Sequence, residues 1–73
     1  MRGDELVDRL KRIATVNGQT FRFDRKRGKE SHGTVWIGNR LAVVPNLCNE
    51  LKNGTMSGIC RSLGLKPQDL LDL

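Results

Sequence analysis

The residue pattern of this chain predicts an α+β fold, with one three-stranded antiparallel sheet carrying helices on one face. Three observations support it. Helical spacing of apolar residues opens the chain, three short strand-like segments separated by turn residues follow, and helical spacing returns at the end. No internal repeat, low-complexity tract or linker divides the 73 residues, so one domain spanning 1–73 is expected. At this length folding removes only about 60% of the unfolded chain's surface from water, so the core must be thin. Hydrophobic residues at 37% and charged residues at 29% nevertheless suit a folded domain rather than a disordered tail.

Asp4 is the expected cap of a first helix in which Leu6, Val7, Leu10, Ile13 and Ala14 form one buried face. Asn17-Gly18 should stop it. Thr20-Phe21-Arg22-Phe23-Asp24 alternates with period two, which puts both phenylalanines on one face and Arg22 on the other. Residues 25–31 are too charged and glycine-broken to pack and read as an exposed loop. Val35-Trp36-Ile37 and Leu41 to Val44 flank Gly38-Asn39, a hairpin signal whose two-residue turn pairs Trp36 with Leu41 and Thr34 with Val43. If the second strand runs back far enough, His32 shares a face with Thr34 and Trp36. Pro45 has no N–H to give a ladder, so the third strand ends there or lies at an edge. Thr55 is the expected cap of a second helix with Met56, Ile59, Cys60 and Leu63 inward and Gly64 as its stop. Pro67 suits the first turn of a short third helix bearing Leu70 and Leu71, with Asp69 near its positive end. The resulting order, α-β-β-β-α(-α) as a sandwich, is also the layout of double-stranded-RNA-binding domains.

Charge separates the two halves. Residues 1–40 hold ten bases and five acids, a net of +5, whereas residues 41–73 hold three of each and net zero. That asymmetry points to an anionic partner, with nucleic acid favoured over membrane because no basic amphipathic helix carries the charge. The longest aliphatic run, Leu41 to Val44, is far short of the roughly 20 residues of a membrane span, and the first five residues open no signal peptide. A cytoplasmic protein is the expectation. Cys48 and Cys60, with a single histidine, cannot assemble a zinc ribbon or a disulfide framework, so reduced thiols and no metal or other cofactor are expected.

His32, the sole histidine, follows Arg25-Lys26-Arg27-Gly28-Lys29 after two intervening residues. Four bases in five positions can hold phosphate, and an imidazole beside them can move protons near neutral pH. RNA supplies its own nucleophile in the 2′-hydroxyl. A ribonuclease need only remove that proton, stabilise the phosphorane and protonate the leaving oxygen, a sequence that requires no metal. The plainer alternative is a strand-edge histidine beside a solubilising loop. Trp36 could stack a base, but in a chain with three aromatics it reads as core, as do Phe21 and Phe23. Ser31 beside His32 is not a nucleophile pair, because sequence neighbours on a strand point to opposite faces. Cys60 falls on an apolar helix face and Cys48 in a loop, which leaves thiol catalysis unsupported. Gly28, Gly33 and Gly38 lack the Gly-Lys-Ser/Thr ending of a phosphate loop.

The joint spacing of Ser31-His32-Gly33-Thr34, Val43-Val44-Pro45, Glu50-Leu51-Lys52-Asn53-Gly54-Thr55 and Gly64-Leu65 resembles the HicA family of bacterial toxins over almost the whole chain. The resemblance implies a double-stranded-RNA-binding-like fold. It also implies a metal-independent mRNA endoribonuclease that arrests translation in a type II toxin-antitoxin system, neutralised by a co-expressed HicB-type antitoxin. On that resemblance His32 matches the catalytic histidine. The cations expected to hold RNA are Arg22, Arg25, Lys26, Arg27, Lys29 and Arg40, with Gly28, Glu30, Ser31 and Gly33 in the loop beside the site. One position departs from the pattern: the family usually has Gly before the Ser-His pair, where this sequence has Glu30. A carboxylate there repels phosphate, and a side chain restricts the loop. Two classes therefore fit the sequence: a toxin ribonuclease using His32, or a catalytically weak or inactive module that binds RNA or antitoxin on the same fold.

Overall fold

The computed structural model describes residues 1–25 and 32–70. The elements run α1 (Gly3–Val16), β1 (Phe21–Arg25), β2 (Gly33–Ile37), β3 (Arg40–Val44), α2 (Asn53–Ser62) and a 3-10 turn at Pro67–Leu70. This is the expected α+β class. The strands lie in the order β1-β2-β3, antiparallel throughout. Trp36 pairs with Leu41 and Thr34 with Val43, the register set by a two-residue turn. Gly38 adopts φ 59° there while Asn39 stays at negative φ, the sign pattern of a II′ turn, which suits the right-handed twist of the strands.

The strand alternation divides the sheet into two unlike faces. Val35, Ile37, Ala42 and Val44 are buried and join Leu6, Leu10, Ile13, Ile59, Cys60 and Leu63 from the helices in one core. Each large aliphatic side chain there removes apolar surface worth about 1.5–3 kcal/mol. Phe21 and Phe23 lie half-buried against that core. Arg22, Asp24, Thr34, Trp36, Leu41 and Val43 occupy the opposite face. Trp36 is thus not a core residue. The scarcity of aromatics suggested burial, but β1 pairs it with Arg22, and the face that carries Arg22 is turned away from the helices. Among the described residues no polar or charged side chain is buried.

Both helices end as their glycines predict. Gly18 (φ 68°) and Gly64 (φ 74°) take the left-handed conformation. Gln19 N–H donates to the Ala14 carbonyl at 2.8 Å and Leu65 N–H to the Cys60 carbonyl at 2.7 Å, closing a Schellman motif on each helix. Both starts differ from expectation. Asp4 lies inside α1, which begins at Gly3, and Thr55 lies inside α2, which begins at Asn53; neither helix has a side-chain cap. The N-terminus of α1 is satisfied from outside instead: Asp4 N–H donates to the Leu47 carbonyl (2.9 Å) and Gly3 N–H to the Asn49 carbonyl (3.2 Å). That contact needs glycine, because a Cβ on Gly3 would fall 1.9 Å from the Asn46 carbonyl oxygen. Leu51 N–H donates to the Met1 carbonyl and Arg2 bridges to Glu50, so the segment carrying Glu50-Leu51 binds the start of α1. The third helix is a single 3-10 turn; Leu71 lies outside the described residues.

Candidate functional site

His32 stands one position before β2, half-exposed, at the sheet end where Arg25 closes β1 opposite Gly33. Continuing the strand alternation back by one residue places His32 on the outer face with Thr34 and Trp36. Gly33 is the buried first residue of β2 rather than part of a loop. A Cβ there would fall 2.5 Å from Cε1 of Phe23 and 3.0 Å from the Asp24 carbonyl oxygen. The missing side chain lets the Phe23 ring lie directly on the strand, which fixes the backbone from which His32 emerges.

The expected cations separate. Arg22 projects from the outer face with its guanidinium carbon 5.0 Å from the Trp36 ring centroid, a cation–π pair on the face of His32. Arg25 has the opposite parity and lines a hollow with Asp4, Asp8, Phe23, Leu47 and Cys48 on the α1 side. Two carboxylates share that hollow, which makes it a poor place for phosphate. Arg40 opens β3 at the far end of the sheet, and its side chain lies over Gly64, where a Cβ would meet Nε at 2.9 Å. A cation beside the last turn of α2 complements the helix dipole, a structural use for a residue expected to hold RNA. Lys26, Arg27, Gly28, Lys29, Glu30 and Ser31 lie outside the described residues.

The pairing of Trp36 with Arg22 was missed at the sequence level. Val35-Trp36-Ile37 is apolar on both faces, so periodicity alone does not say which side is inward. The usable signal was the neighbouring strand: aligning Phe21 and Phe23 with Ile37 and Val35 puts Trp36 opposite Arg22.

The thiols differ. Cys48 is exposed and Cys60 is buried. Burial pushes the Cys60 thiol pKa up, and the nearby Asp69 carboxylate adds to the shift, so the neutral form is favoured. Among the described residues no three of His, Cys, Asp and Glu gather as a metal-binding group, and no helix is long and apolar enough to cross a membrane.

The fold and site together define a class: an α+β sandwich whose outer sheet face carries an indole and a guanidinium, with an imidazole just before its central strand. Comparison of the chain with protein-family models, curated proteins and solved structures returns no match.

Proposed function

We propose that this protein is a HicA-like toxin, a metal-independent endoribonuclease that cuts mRNA in the cytoplasm with His32 as general acid or base. One juxtaposition supports the reading. His32 leads into β2 at the sheet end where Arg25 closes β1, and in the sequence the run Arg25-Lys26-Arg27-Gly28-Lys29 ends three positions before that imidazole. The imidazole takes the proton of a 2′-hydroxyl, whose oxygen then bonds to the adjacent phosphorus. The bond from phosphorus to the 5′-oxygen breaks, and that oxygen leaves with a proton. The products are a 2′,3′-cyclic phosphate and a 5′-hydroxyl. Cations beside the phosphorane stabilise its charge. With a single histidine the second proton-transfer group is unassigned, and lysines of the run act as charges.

The partner that fits a toxin is a HicB-type antitoxin that covers His32 and the basic run, blocking RNA by occlusion and associating in a salt-sensitive manner. A second reading rests on Glu30: a carboxylate directly after the basic run weakens phosphate binding and favours an RNA-binding or antitoxin-binding module with little catalysis.

The chemistry of the cut tests the proposal. RNA should be cleaved in EDTA to 2′,3′-cyclic phosphate ends, and a single 2′-deoxy substitution at the cut position should abolish cleavage there. Cleavage that survives that substitution would overturn the 2′-hydroxyl mechanism.

A further inference from the structure

Beyond the end that leads to His32, the outer face of the sheet is used neither by the core nor by the proposed proton transfer. Trp36 lies on it half-buried, with Arg22 over its ring and Leu41 directly across the strand pair. Leu41 is 53% exposed and Val43, beside it, 52%. The helices pack against the other face. Three apolar side chains interrupted by Arg22 and Asp24 make a small patch. A stable protein interface takes about 800 Å² from each partner, with charge depleted at its centre. A single nucleic-acid base matches one indole in size, and an arginine at an aromatic ring serves both stacking and phosphate contact. The strands that build this pair, β1 and β2, lie in the half of the chain that holds all the excess positive charge.

We propose that the Arg22–Trp36 pair, the guanidinium lying over the indole, is a base-stacking platform for an unpaired nucleotide of RNA. The site is distinct from the proton-transfer group and rests on the ribonuclease reading for the identity of its ligand. Alternation puts His32 and Trp36 on one face four residues apart, about 13 Å at roughly 3.3 Å per residue. A strand whose base lies on Trp36 can therefore reach His32. Duplex RNA keeps its bases stacked on one another and offers none to the platform.

Trp36 is the sole tryptophan of a chain without tyrosine, so ultraviolet-excited emission reports on this position. The experiment uses the full-length H32A protein, which should bind RNA without cutting it. Dye-labelled oligouridylate and oligoadenylate are titrated in, with dye anisotropy and tryptophan emission recorded together. The expected result is quenching of Trp36 that follows the anisotropy, no quenching by inorganic polyphosphate, and little by a duplex. Trp36→Leu should weaken oligonucleotide binding by about 5- to 150-fold with an unchanged salt slope, and Trp36→Phe should restore most of it. RNA that binds by anisotropy but leaves the emission unchanged overturns the platform while leaving the ribonuclease reading intact. Equal quenching by polyphosphate overturns it as well, as does an emission change that tracks only protein concentration, which would assign the face to self-association. Failure of any RNA to bind at low salt instead removes the ribonuclease reading itself, and the platform with it.

Discussion

At the scale of single residues the proposed chemistry depends on how His32 is held and what stands beside it. Gly33 does the holding, since the Phe23 ring occupies the space a side chain would need. Gly33→Ala must displace that ring or the Asp24 carbonyl, and overpacking of this kind costs about 1–3 kcal/mol. The variant should melt at a lower temperature and cleave RNA less well than its stability loss explains, which thermal unfolding and cleavage rates measured well below the transition will separate. Glu30 is expected to act through charge and backbone at once. Glu30→Gly should raise both RNA affinity and cleavage rate, whereas Glu30→Gln should recover only the electrostatic share. If both variants match the parent, Glu30 is an ordinary solvated residue and the second reading loses its support.

At the scale of elements, the helix ends show what the sequence holds and what it hides. Gly18 and Gly64 announced both C-termini because only a residue tolerant of positive φ closes a Schellman motif without strain. The N-termini were hidden. The donors of α1 are met by carbonyls of Leu47 and Asn49, more than forty residues away, and no local cap residue encodes that contact. Trp36 was misplaced for a related reason, since an apolar run on a strand names its inner face only through its partner strand. Cys60 carries an element-scale prediction, because its pKa is raised in the fold by burial and then by Asp69. Above the unfolded thiol value of about 8.5, the unfolded chain gives up this proton while the folded one keeps it. The contribution is therefore fully present at neutral pH and falls as pH rises through the alkaline range. Denaturant midpoints should drop above about pH 8.5 in the parent and drop less steeply in Cys60→Ala, which will itself be less stable at neutral pH. A thiol reagent should label Cys48 in the native protein and reach Cys60 only on unfolding.

At the scale of the whole molecule the deciding feature is the lopsided charge, +5 in residues 1–40 and zero thereafter. Of the three described cations proposed to hold RNA, Arg40 sits at the far end of the sheet and Arg25 beside two carboxylates, and Arg22 shares the outer face with Trp36. If Lys26, Arg27 and Lys29 supply about three phosphate contacts, single-stranded RNA affinity should fall with a log-log salt slope near −2, at about −0.7 per contact. Neutralising Lys26 and Arg27 together should flatten it by about 1.4. An unchanged slope would move the phosphate site away from the run.

The central claim is that His32 moves the proton in RNA cleavage. It is tested most directly by cleavage of one RNA in EDTA by the parent and by His32→Ala, with RNA affinity and thermal stability measured on the same preparations. The account predicts a loss of about 10²- to 10⁴-fold in cleavage rate, with affinity and melting temperature nearly unchanged. An alanine variant that cuts as fast as the parent, or a parent activity that EDTA abolishes, would contradict it.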